Sequence, residues 1–338
     1  MIRHRAVESY LVCAACLAFA DAAFAHHSPA AFDQTREVVV EGTITKVGWM
    51  NPHIYFTLAT TRADGSIVEQ EVQAGSASGL TALGVPKTAL AVGKHVTVRG
   101  LPSRSAAGKV VWGLNLTTGS GATYAIDYLG RTAPVAPTVE AKGLPGRWLP
   151  QLTGLLFART GSQDKLTEAA RATRDDVASY RASATVCVAW PTPLMMVIPM
   201  VRDIEVDARS VRLAFDWMNA ERVVHLDETA HPAGVEPTLQ GHSIGHWDGG
   251  ALVIDTVAFT PDRSGVSQGV PAGPRKHVVE RLSLADDRLH LRYEVTIEDP
   301  DYLTSPVSFA ELWDHRPDLE PSGEQCNPDV ARRFLDVE

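Results

Sequence analysis

A chain of 338 residues, 45% hydrophobic and 21% charged, is long enough for two domains that each bury a core without help from oligomerisation. A formal charge of −9, with no basic stripe interleaved with aromatics, argues against nucleic acid as a partner.

The first 25 residues read as a secretory signal: Arg3 and Arg5, an apolar run from Tyr10 to Ala20, then the cleavage pattern Ala23-Phe24-Ala25. Cleavage after Ala25 would give a periplasmic or secreted protein that starts at His26. No transmembrane anchor is expected after cleavage, since no second apolar run is long enough to span a bilayer. A lipid anchor on Cys13 or Cys16 is a weaker alternative, because neither follows the aliphatic and small residues of a lipidated cysteine.

Residues 26–130 are expected to form a small OB-like β-barrel. Short β-branched runs cover Val38 to Trp49, Ile54 to Thr60, Ile67 to Ala74, His95 to Leu101 and Val110 to Leu116. Asp64-Gly65 supplies a hairpin turn, and a short helical insert falls near Ser78 to Leu83. Residues 131–160, rich in proline, glycine and alanine without a sustained period, read as a linker.

Residues 161–338 are expected to form a larger antiparallel β-barrel or sandwich, lipocalin-like, with one flanking helix over Lys165 to Arg181. Strands are predicted at Ile204 to Val206, Val211 to Trp217, Arg222 to Asp227, Ser243 to Trp247, Ala251 to Phe259, His277 to Leu284 and Leu289 to Glu298. Leu289, Leu291, Tyr293, Val295 and Ile297 alternate with polar residues, so one face is core and the other wet. Of the two cysteines that survive processing, Cys187 and Cys326 are expected to form a disulfide in an oxidising compartment, clipping the C-terminal tail; two buried free thiols are the rival.

His26-His27-Ser28, Phe32-Asp33, Glu41-Gly42-Thr43-Ile44 and Trp49-Met50-Asn51-Pro52-His53 resemble an uncharacterised domain family of secreted bacterial proteins, over about the first third of the chain. Gly241-His242-Ser243-Ile244-Gly245, Trp247-Asp248-Gly249, Leu252-Val253-Ile254-Asp255-Thr256 and Val279-Glu280-Arg281 resemble a companion family of unassigned function. Neither resemblance implies an activity.

Three constellations carry candidate chemistry. His26 as a new N-terminus offers its amino and imidazole nitrogens to a metal, with His53 and either His27 or His95 completing the set. Near-planar nitrogen ligation would favour copper as Cu(II), and a tetrahedral set zinc. In the second domain His242, Ile244 and His246 share one face of a hairpin. If Gly249-Gly250 is its two-residue loop, Asp255 lies diagonally near both His242 and His246, giving an Asp-His pair fit for proton transfer; a three-residue loop would turn Asp255 to the opposite face. Glu280 is in register with Val278 and Leu282, so it points inward and needs either a ligand role or an arginine partner such as Arg222 or Arg292. The apolar run Pro193-Leu194-Met195-Met196-Val197-Ile198-Pro199-Met200 is core, a flexible contact for an apolar ligand, or a source of soft copper ligands.

The resulting expectation is a binding or carrier protein for a metal ion and a small apolar molecule. The alternative is a lyase, hydratase or isomerase that uses His242, Asp255 and Glu280 on a hydrophobic substrate.

Overall fold

The computed structural model describes residues 32–104, 110–130, 135–151, 163–175, 187–267 and 270–332. It is all-β, with two closed barrels and few helices.

The first barrel is built from β1 (Val38–Gly48), β2 (Tyr55–Thr61), β3 (Ile67–Gln73), β4 (His95–Pro102) and β5 (Val110–Thr118), with the short edge strand β6 (Thr123–Ala125). The sheet runs β3-β2-β1-β4-β5-β6 and closes through a parallel β3–β5 pairing. Closure needs curvature, and a register shift between Arg99 and Gly100 supplies part of it. A Cβ on Gly100 would stand 2.2 Å from the Trp112 carbonyl oxygen, so only glycine fits there. Ile44, Phe56, Leu58, Val72, Val96, Val98 and Leu116 fill the interior. Helix α1 (Ala77–Ala82) also packs Leu80 into this core, with the Ser76 hydroxyl capping it by accepting from the Gly79 N–H at 2.8 Å.

The second barrel has nine strands in the closed order β10-β11-β12-β15-β16-β17-β7-β8-β9. These are β7 (Gly146–Pro150), β8 (Arg202–Val206), β9 (Ser210–Phe215), β10 (Glu221–His225), β11 (His242–Asp248), β12 (Ala251–Val257), β15 (His277–Leu284), β16 (His290–Glu298) and β17 (Val307–His315). A separate hairpin pairs β13 (Asp262–Ser267) with β14 (Val270–Ala272). Helices α2 (Glu168–Asp175), α3 (Leu194–Val197) and α4 (Pro328–Arg332) complete the chain.

Two features of the barrel depart from the sequence reading. Strand β7 lies inside the stretch read as linker. Its five residues follow Pro145 and end on Pro150, which hides them from any periodicity test, yet Trp148 is wholly buried and its indole N–H donates to the Leu144 carbonyl at 2.9 Å. The barrel is also not antiparallel throughout, because β10 and β11 pair in parallel.

The lumen of this barrel is filled with side chains. Trp148, Trp313, Tyr293, Phe215, Leu252, Ile254 and Leu291 are buried in one core cluster with Met195 and Met196 of α3. Arg202, fully buried, donates to the carbonyls of Met196 at 2.7 Å and Ile198 at 2.6 Å, and lies over the Trp313 ring at 4.5 Å. Burial pulls its pKa down to about 9. The guanidinium thus caps α3 and anchors it as a plug. The methionine run is core.

The barrels meet at the Asn-Pro-His motif. Asn51 is buried; its side-chain amide donates to Ser78 at 3.2 Å and to the Glu324 carbonyl at 3.0 Å, and its own carbonyl accepts from the Asn327 N–H at 2.9 Å. Ser78 in turn donates to the Asp216 carbonyl at 2.7 Å, and the Asp216 carboxylate accepts from the Ser322 hydroxyl at 2.9 Å. The tail is therefore gripped by both barrels. Cys326, within it, is disulfide-bonded to Cys187 with a Cα–Cα separation of 5.6 Å, the pairing expected from the sequence.

Candidate metal centre

Strand alternation sorts the candidate residues onto two sides of one wall. The β11–β12 hairpin has the register expected for a Gly249-Gly250 turn, with Ile244 opposite Asp255 and His246 opposite Val253. His242 and Asp255 face outward. Glu280, opposite buried Ile254, faces inward and is 1% exposed. The three residues grouped for catalysis therefore do not converge, because the period of two that aligns Glu280 with Val278 and Leu282 separates it from its outward neighbours.

Inside the wall, Glu280 is fully engaged. Its carboxylate accepts from Arg222 Nη1 at 3.0 Å, again from Arg222 Nη2, and from the Tyr293 hydroxyl at 2.8 Å. Arg222 Nε also donates to Ser243 at 3.1 Å and Nη2 to Thr256 at 2.8 Å. Burial lowers the Arg222 pKa, but the Glu280 charge outweighs it and the guanidinium ends above its ordinary value. Burial also drives the Tyr293 hydroxyl well up, so it stays protonated as a donor. This is the arginine pairing that a buried carboxylate requires, made with Arg222. Arg292 faces outward and pairs with Glu294 at 3.0 Å.

Outside the wall, five elements bring together a strip of histidines and carboxylates. Asp255 on β12 accepts from His231 Nε2 at 2.9 Å and, through its other oxygen, from His277 Nε2 on β15 at 3.0 Å. His277 Nδ1 lies 3.5 Å from Glu298 on β16. His231, in the loop after β10, meets His242 on β11 Nδ1 to Nδ1 at 2.9 Å. His242 Nε2 is 3.4 Å from Glu228 Oε2, and His225 Nδ1 at the end of β10 is 3.6 Å from Glu228 Oε1. The His225 and His242 rings stack with centroids 5.1 Å apart.

Proton positions along this strip follow from donor and acceptor chemistry. An ionised carboxylate only accepts, so His231 must carry its proton on Nε2 to bond Asp255. A protonated His231 would donate from Nδ1 and turn a His242 Nε2–H toward Glu228; with a neutral ring Nδ1 is a lone pair, and His242 donates from its own Nδ1. That leaves His242 Nε2 unprotonated and aimed at Glu228. Partial burial raises the Asp255 pKa, but hydrogen bonds from His231 and His277 outweigh it and hold the carboxyl below its ordinary value. Desolvation outweighs the opposing pull of Glu228 and, with the neighbouring His225 and His231, holds His242 below the usual imidazole range. His277 is raised: desolvation works against it, but Asp255 and Glu298 prevail.

With His231 neutral, the lone pair of His242 faces an oxygen in the same position. Glu228 Oε2 is shielded from solvent and accepts no hydrogen bond from any described residue. One ligand atom each from His225, Glu228 and His242 lies within 4.8 Å of the others. Two lone pairs directed at one another across 3.4 Å form an arrangement that a cation between them would satisfy.

Asp255 and His242 do lie on one face, as read from the sequence, but His231 stands between them. His225, Glu228, His231, His277 and Glu298 were not singled out from the sequence. The spacing His225-x-x-Glu228 at a strand end was visible, as was the outward parity of His277 once Glu280 pointed inward. What joins them is the loop of residues 226–241, which carries no periodic signal.

The residues expected to form the N-terminal metal site are placed in part. His26 and His27 lie outside the described residues. His53 Nδ1 is 3.3 Å from the Ala74 carbonyl and its ring meets Trp112 edge-on at 5.7 Å. His95 Nε2 pairs with Glu41 at 2.9 Å on the exposed face of the first barrel.

Fold and site together define a two-barrel protein with an open His-His-Glu cluster on the outer wall of its second barrel. Residues 14–111 match the sequence model of a family of unknown function (DUF6152), which agrees with the resemblance of the first third of the chain to an uncharacterised family. No curated protein matches the chain. Among the described residues, no helix is long and apolar enough to cross a membrane.

Proposed function

We propose that the protein is exported to an oxidising compartment and binds one divalent transition-metal ion through His225, Glu228 and His242. The observation that carries this reading is the solvent-shielded Glu228 oxygen that accepts no hydrogen bond among the described residues and lies 3.4 Å from His242 Nε2. Two imidazoles and a carboxylate form a donor set suited to first-row ions, and three protein ligands leave a coordination position for water or a second molecule. The three residues can bring one ligand atom each to within 4.8 Å of the others, close enough to share one ion. Zinc, which takes imidazole and carboxylate ligands, is the probe for the site. The Asp255–His231 chain belongs to the site as support, since it fixes which nitrogen His242 presents.

Titration calorimetry with zinc on the full chain tests the reading. One ion per chain is expected, with binding lost in Glu228→Gln. Asp255→Asn, which touches no ligand, should weaken binding about 10- to 100-fold by freeing the His231 and His242 tautomers. Zinc affinity that is unchanged in Glu228→Gln would place the ion elsewhere and refute the assignment.

The hydrogen-bonded run Asp255–His231–His242 favours a second reading, acid-base chemistry at the His242 end of the relay. The N-terminal copper site keeps its own test: a chain beginning at His26 should bind Cu(II) more tightly than one carrying an extra residue, because the amine and ring must act together.

A further inference from the structure

The ligands lie on both sides of the weakest seam of the second barrel. Strands β10 and β11 pair in parallel over only Val224 with Ser243 and His225 with Ile244. Every other seam of the barrel is antiparallel, with registers of three to eight residue pairs. A parallel pairing also requires the chain to travel back along the strand, and residues 226–241 make that return. The seam thus combines the barrel's shortest register with its one parallel pairing.

On the inner side, the seam is bridged by Arg222 of β10 donating to Ser243 of β11 at 3.1 Å. On the outer side, His225 of β10 stacks on His242 of β11, and Glu228 from the return loop reaches both. Separating β10 from β11 would pull His225 away from His242 and dismantle the cluster.

We infer that the metal held by His225, Glu228 and His242 staples the β10–β11 seam, so that metal occupancy governs whether this wall of the barrel opens. The inference rests on the metal-site reading above. An ion bound only by the closed wall shifts the opening equilibrium by a factor of one plus the ratio of free ion to Kd. The wall behind the ion is lined by Ser243, Arg222 and Thr256, so the seam is the place where the barrel's buried polar network would meet solvent.

Amide hydrogen exchange on the full chain, with zinc absent or at 100 times the Kd measured by calorimetry, separates the outcomes. The staple predicts exchange about 100-fold slower in residues 221–225 and 242–248, with β16 and β17 nearly unchanged. Glu228→Gln, compared with its own zinc-free exchange and with parent-like protection in β16 and β17 reporting an intact fold, should show no zinc effect. Zinc binding without selective slowing at the seam, or with equal slowing in all strands, overturns the staple and leaves the site standing. Absence of zinc binding overturns both.

Discussion

Glu280 and Asp255 lie on adjacent strands, each with basic partners, and the barrel wall gives them opposite roles. Glu280 is sealed in with Arg222 and Tyr293, where losing one partner leaves a buried charge uncompensated. Arg222→Ala should therefore cost about 3–5 kcal/mol in urea unfolding, while Arg222→Met combined with Glu280→Leu should recover most of it. Asp255 keeps contact with water, and its partner His277 titrates. Because the folded state raises the His277 pKa, the stability it contributes is full below the unfolded value near 6.5 and falls as pH rises through the raised native value. The urea midpoint of the parent should thus exceed that of His277→Asn by more at pH 5.5 than at pH 8.5. A gap that widens with pH would contradict the assignment of His277 as an imidazolium between two carboxylates.

At the scale of elements, the β10-to-β11 segment brings the site together. The strand ends at His225, the loop contributes Glu228 and His231, and the next strand begins at His242, so one connection supplies four of the strip's side chains. The Asn51 turn plays a comparable part in the first barrel. The turn's buried amide holds Ser78 and the tail. Asn51→Ala should lower stability by about 1–3 kcal/mol, because Ser78 and the Glu324 carbonyl lose a buried donor. Limited proteolysis would show the same change as faster cleavage between Leu319 and Asn327.

Across the whole molecule, the tail joins the barrels and the disulfide secures the tail. Cys187 and Cys326 are 139 positions apart, and closing so long a loop is worth about 4–5 kcal/mol in the chain-entropy account. Cys326→Ser should lower thermal stability accordingly, which calorimetric scans of parent and variant would measure. An unchanged midpoint would mean that the contacts of Asn51, Ser78 and Asp216 hold the tail without the bond.

Several of these features were legible in the residues themselves. Alternation along β15 and β16 determined that Glu280 turns inward among Val278, Leu282 and Tyr293, because a period of two leaves no other face for it. Gly249-Gly250 determined the hairpin register, because a two-residue turn permits few pairings. The two late cysteines determined the cross-link. Only the tertiary structure decided that β7 belongs to a barrel, that α3 plugs the lumen, and that His225, Glu228, His231 and His242 meet. Local sequence encodes periodicity and turn chemistry, whereas the meeting of strand ends, a return loop and neighbouring strands is set by barrel closure, which depends on pairings far apart in the chain.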